Sequence, residues 1–296
     1  MQISDEIYRS EITGTNLFRR VTRPDSSSPN GVVLMLHGLG DHQICHEIAA
    51  AIFSSRNLAT VGIDWPGNGA SDGKRGDLPG AGVACDLIDE TLAFLSKEFP
   101  EFSGRKPGLY AHSTGGFLSL CHANQRAKLG ADPLAFDWIW LSSPLIHPAR
   151  NQNWLKRKLA RLLVNVAPRF TVPNGVTRRK CVHLHTGTPV PVIPGRHKRV
   201  SLRFGVDLLK HAAEIDASAE LFTDPFPILI SQGDEDVICP PEISRAFFEN
   251  LPSSRKEYIL GKNLRHETLR EPNNGEFIQG VKDWLDQVVP QTSLTV

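Results

Sequence analysis

Short apolar runs of strand type recur along this chain, and segments of helical length separate most of them. The runs occupy residues 32–37, 59–64, 107–112, 138–142, 227–231 and 257–260, with helix-length stretches at 47–55, 83–97, 117–128 and 241–250. Continuous apolar runs suit strands buried on both faces, and alternation with helices suits parallel strands joined by crossovers. The pattern predicts an α/β fold, a mostly parallel sheet with helices on both faces. Residues 5–22, of mixed polarity, would add one or two antiparallel strands at its beginning. A chain of 296 residues with 40% hydrophobic content can bury the core of one such domain.

The rhythm breaks between Ser143 and Phe226. Residues 155–166 read as a basic amphipathic helix and 200–215 as another, separated by a stretch containing Pro and Gly. The expected organisation is residues 1–143 as the first part of the core, 144–222 as an inserted helical cap, and 223–296 as the second part. Between Pro144 and Val206 there are thirteen Lys or Arg and no Asp or Glu, although the whole chain carries a net charge of only +1. Such a block is a solvated face or an attractor for an anionic membrane or substrate. Leu155, Leu159, Leu162, Leu163 and Val166 form an apolar stripe flanked by Lys156, Lys158 and Arg161. Packing on the core is the commoner fate of such a stripe; peripheral contact with anionic lipid is the alternative. No aromatic-interleaved basic stripe suggests a nucleic-acid partner. The N-terminal stretch has no apolar run after a basic start, and the five cysteines are scattered without CxxC spacing. The expectation is a soluble, cytoplasmic protein with reduced thiols.

Chemistry concentrates at Gly108-Leu-Tyr-Ala-His-Ser113-Thr-Gly-Gly116, where a strand end enters a small-x-Ser-x-Gly turn and then a helix-like segment. A serine on such a bend projects its Oγ from the sheet edge, and small neighbours two residues away let strand and helix approach. Ala111 stands where glycine is usual. With Ser113 as nucleophile, a base and an orienting acid are needed in the order Ser, acid, His. Ten of the eleven histidines precede residue 236, which leaves His266 as the base. The acid follows the 228–231 strand in Gln232-Gly-Asp-Glu-Asp236, where Asp234, Glu235 and Asp236 are not separated by spacing. Oxyanion donors are available in the amide of Thr114 and in that of Leu39, within His37-Gly-Leu-Gly-Asp-His42. Cys181-Val-His183-Leu-His185 alternates on one extended segment without a further ligand pattern, so no metal or cofactor is expected.

These motifs resemble the α/β-hydrolase superfamily, and within it the monoacylglycerol lipase and lysophospholipase-like branch of serine aminopeptidase-type hydrolases. The resemblance spans nearly the whole chain and is weakest at 144–222. Its parts are the His37 loop, Asp64-Trp-Pro-Gly-Asn-Gly-Ala-Ser-Asp-Gly-Lys-Arg-Gly76, the Ser113 turn, Gly233-x-x-Asp236 with Pro240, and His266. It implies an α/β-hydrolase fold with catalytic Ser113, Asp236 and His266. It also implies an oxyanion hole at Leu39 and Thr114, and a cap that selects a monoacylglycerol or lysophospholipid. A proline-iminopeptidase-like peptidase or small-ester esterase would use the same triad. A silent ligand receptor on this fold would usually lack a triad member, and none is missing.

Overall fold

The computed structural model describes residues 1–26, 28–148, 154–183 and 193–289. The elements in chain order are β1 (Gln2–Arg9), β2 (Asn16–Arg23), β3 (Gly31–Leu36), α1 (Glu47–Ser54), β4 (Leu58–Ile63), α2 (Ala81–Glu98), β5 (Gly108–His112), α3 (Thr114–Lys128) and β6 (Trp138–Ser142). They continue with α4 (Trp154–Leu163), β7 (Thr171–Pro173), α5 (Arg178–Cys181), β8 (Arg199–Ser201), α6 (Leu202–Ile215), β9 (Ile228–Gly233), α7 (Pro241–Glu249), β10 (Lys256–Gly261) and α8 (Gly275–Val288).

Eight strands form one sheet in the order β1-β2-β4-β3-β5-β6-β9-β10. From β4 to β10 every pairing is parallel, whereas β2 meets β1 and β4 antiparallel. Every residue of β4, β5, β6 and β9 is buried. Alternate side chains serve opposite faces, as the pleat demands. Leu34, Val61, Leu109, Leu141 and Ile230 pack with α2, α3, α6 and α7. Val33, Tyr110, Trp140 and Leu229 pack with α1 and α8. On that second face Tyr110 meets Trp140 edge-on at 4.7 Å, and Trp140 meets Phe53 at 5.8 Å.

The connection from β6 to β9 departs from expectation in two places. Residues 199–201 are extended and pair with β7, so α6 begins at Leu202 and not at Val200. Ser201 causes this: its backbone is extended and its side chain accepts the Phe204 N–H, an N-cap. The second departure concerns the α4 stripe, which does not pack on the core. Leu155 is 57% exposed, Leu162 63% and Val166 84%. The helix rests instead on α6.

Arginines fasten this connection to the core. Arg169 donates to buried Asp77 at 2.8 Å, and Arg203 donates to it twice, at 2.6 and 2.8 Å. Burial alone would raise the Asp77 pKa, but the two guanidinium groups hold it below the ordinary value. Asp207 on α6 accepts the Ala81 N–H at the start of α2, which has no cap of its own, at 2.6 Å. No helix among the described residues is long and apolar enough to cross a membrane.

Candidate active site

At the end of β5 the chain reverses through Ser113, whose φ of 53° and ψ of −118° are unusual for any residue but glycine. Such a conformation costs on the order of 1–3 kcal/mol and persists only where the surroundings enforce it. Here the Ser113 N–H donates to Ser142 O, and Ser113 O accepts the N–H groups of Gly116 and Leu145, all at 3.0 Å. The small neighbours have a visible reason. A Cβ on Gly115 would stand 2.5 Å from Leu36 O, and one on Gly38 would stand 3.0 Å from Ser113 Cβ. Ala111 is fully buried opposite Leu36 and Leu141, so its methyl is tolerated on the strand side.

β9 ends at Gly233, and the following turn presents Asp236. Its Oδ2 accepts from His266 Nδ1–H and from Gln232 Nε2–H, each at 2.7 Å, while Oδ1 accepts the amides of Ile238 and Cys239 at 2.8 and 2.9 Å. The two other acids face elsewhere: Asp234 accepts the Leu264 N–H, and Glu235 pairs with His183 and Arg265. Only Asp236 meets the imidazole. Burial pushes the His266 pKa down, but the charge and hydrogen bond of Asp236 outweigh it, and the value stands above the ordinary one. With Nδ1–H committed to the carboxylate, Nε2 is left as the proton acceptor. His112 lies 4.9 Å from His266 between ring centroids, and burial keeps it neutral, its pKa well below the ordinary value.

Sequence reasoning missed Cys239. Its side chain stands beside Ser113, and among the described residues no hydrogen bond joins the Ser113 hydroxyl to His266. The Cys239 sulfur, a His266 ring nitrogen and an Asp236 oxygen lie within 4.8 Å of one another, a buried group of thiol, imidazole and carboxylate. Serine–histidine bonds commonly tighten only in the substrate complex. Burial pushes the Cys239 thiol well above its usual range, which leaves it a neutral neighbour and a poor metal ligand. Gln232 was also missed; its signal is a polar side chain at the end of an otherwise apolar strand.

The amides of Leu39 and Thr114 have no hydrogen-bond partner among the described residues, and both residues line the space above Ser113. The Leu39 loop is held from within. His37 Nδ1–H donates to Gly38 O at 2.8 Å, its Nε2 accepts the Trp65 N–H at 3.0 Å, and burial lowers its pKa to about 3. His37 is therefore a neutral brace. Asp64 braces the companion loop by accepting the amides of Gln43 and Ala70 at 2.7 and 2.9 Å, and burial raises its pKa to about 6. Asp41 pairs with His46 and with Arg196, and Arg196 also binds Glu267 beside His266. His183 of the Cys181-x-His183-x-His185 stretch is engaged by Glu271 and Glu235, and His185 lies outside the described residues.

Above Ser113 opens a cavity of about 600 Å³. Its walls are mainly apolar, with Leu159, Leu163, Leu208 and Ile243 among them, and no Asp or Glu among the described residues lines it. An apolar acyl chain fits such walls better than a cationic peptide amine does.

A profile of the family described as serine aminopeptidase, S33, matches residues 27–273. The chain is 23% identical over 282 residues to a monoacylglycerol lipase of Mycolicibacterium smegmatis, covering 93% of this chain and 94% of that one. It is 26% identical over 264 residues to an abhydrolase domain-containing protein of Dictyostelium discoideum, of which it spans only 26%. Among solved structures, the monoacylglycerol lipase of Paleococcus ferrophilus matches with a TM-score of 0.76 and 26% identity, over 92% of this chain and 98% of that one.

Proposed function

From the premise that this chain belongs to the serine aminopeptidase S33 family of α/β-hydrolases, we propose that it hydrolyses carboxylic esters of glycerol lipids, monoacylglycerols or lysophospholipids, through an acyl-enzyme. Ser113 attacks the ester carbonyl while His266 Nε2 takes its proton, and Asp236 stabilises the imidazolium. The Leu39 and Thr114 amides receive the oxyanion, a contribution of about 3 kcal/mol per donor in comparable sites. His266 then protonates the departing alcohol. Water, deprotonated by the same imidazole, attacks the acyl-enzyme and releases the acid, and Ser113 recovers its proton. The observation that carries the reading is the apolar cavity over a serine beside a buried His–Asp pair. The names borne by the similar lipases support the substrate class, and the lack of a lining carboxylate among the described residues disfavours a peptidase that must hold a free amine. A fluorophosphonate probe is expected to label Ser113, and a screen of monoacylglycerols, lysophospholipids, aminoacyl amides and short esters to favour the first two. Labelling at another residue, or preference for amides, would overturn the assignment.

Residues 144–222 act in this reading as the cap that admits substrate, and the protein works in the cytoplasm with its cap against a membrane. The exposed leucines of α4, with Lys158 and Arg161 on the same helix, suit adsorption to anionic lipid. Vesicles containing anionic phospholipid are expected to bind the protein in a salt-sensitive manner, since each basic residue near such a surface contributes about 1 kcal/mol. Leu162→Asp with Val166→Asp should weaken binding by roughly tenfold or more, because two apolar contacts are lost and two negative charges face the lipid. Absence of binding at low salt would remove the membrane role.

A further inference from the structure

α4 turns Arg157 toward the cavity above Ser113, and this arginine differs from the others that hold the β6–β9 connection. Arg169 and Arg203 bind Asp77, and Arg196 binds Asp41 and Glu267. Arg157 makes no ion pair among the described residues, and its Nε is buried without a hydrogen-bond partner. Among the described residues the cavity offers it no carboxylate, and His147 on the wall is engaged by Asp216 at 3.2 Å. A second donor is idle in the same cavity. Asn174 Oδ1 accepts the Val176 N–H at 3.0 Å, which orients the amide, while Nδ2 is buried with no partner. That nitrogen stands beside the loop that carries the Leu39 amide: a Cβ on Gly40 would come within 3.3 Å of it.

Leaving a guanidinium N–H and an amide N–H buried and unpaired is costly unless a ligand supplies acceptors. Among the described residues the cavity is apolar, with an uncompensated cation, a spare donor next to the oxyanion loop and no acid, and this selects for an acyl chain joined to an anionic group. We infer that Arg157 and Asn174 form an anion subsite in this cavity, so that the preferred esters carry a phosphate or carboxylate close to the scissile bond, an anionic lysolipid over a neutral monoacylglycerol. The inference rests on the ester-hydrolase reading above and names its substrate class more narrowly.

The test compares octanoylglycerol phosphate with octanoylglycerol, both below their aggregation concentrations and without vesicles, so that bilayer phosphate plays no part. The wild type is expected to favour the phosphorylated ester in kcat/KM. Arg157→Gln should reduce that preference by about 10- to 100-fold, the range for losing a charged hydrogen bond, acting through KM. Arg157→Lys, which keeps the charge, should retain part of it. Inorganic phosphate should compete with substrate in the wild type and lose potency in Arg157→Gln, which separates a site for any free anion from one for the lipid headgroup. Binding of the same two lipids to Ser113→Ala, followed by calorimetry, reads the subsite without turnover. An inactive wild type would thus defeat the ester reading while the subsite is still tested. Equal affinity for both lipids, or a parallel fall for both in Arg157→Gln, would overturn the subsite.

Discussion

Ser113→Ala is expected to lower kcat toward a short p-nitrophenyl ester by about 10⁶-fold, the scale seen when a nucleophile is removed from a triad hydrolase. The loss is this large because the hydroxyl begins the covalent path, and neither His266 nor the two amides can form an acyl-enzyme without it. The variant should also lose fluorophosphonate labelling. Its fold should survive, since the hydrogen bonds enforcing the strained turn run through the backbone of residue 113. An unchanged near-ultraviolet circular dichroism spectrum would establish that. His266→Ala should cost about as much, and the double variant little more, because residues acting as a unit are not additive. Residual activity near that of the wild type in Ser113→Ala would mean that the cavity is used by some other nucleophile.

The sheet was legible because burial on both faces leaves little freedom: β4, β5, β6 and β9 must be apolar throughout, and helical stretches must separate them. Ser113 was legible for a steric reason, since the turn admits only small residues where Gly38 and Gly115 meet it. The choice of Asp236 over Asp234 and Glu235 was not open to spacing. It depends on a hydrogen bond to a residue thirty positions later and on two backbone amides that only the folded turn presents. Periodicity showed that α4 has an apolar face but said nothing of what covers it; in the structure Leu159 and Leu163 border the cavity above Ser113, while Leu155 and Leu162 are left to solvent. The onset of α6 was displaced because an apolar Val200 suits the β7–β8 pairing as well as a helix, and Ser201 decides between them. Cys239 and Arg157 carry no local pattern. Their surroundings are assembled from distant segments, Ser113 for the thiol and the acid-free cavity for the guanidinium.

Asp236→Asn is expected to lower kcat by about 10⁴-fold, as in a triad whose acid is made neutral, and to move the acid limb of the pH–rate profile downward. Two consequences of the buried carboxylate are removed together. The first is the tautomer: Asp236 can only accept from Nδ1, whereas an asparagine amide can donate to it and so place the proton on Nε2, where the base must be free. The second is charge. In the wild type Asp236 overcomes burial and lifts His266 above its ordinary pKa of about 6.5, so activity should rise with pH through a value above that figure. Without the charge, burial prevails and the His266 value drops below about 6.5, so the residual activity should persist to lower pH. Stability follows with a definite sign. A raised His266 pKa contributes stability that is fully present below the unfolded value and is lost as pH rises through the folded one. A depressed value instead withdraws stability as pH falls through about 6.5. The deficit in melting temperature of Asp236→Asn should therefore widen between pH 8 and pH 5.5, as roughly set by that unfolded value. Profiles of kcat/KM and melting temperature on the same samples check both signs. An acid limb that stays in place would show that Asp236 does not set the protonation of His266.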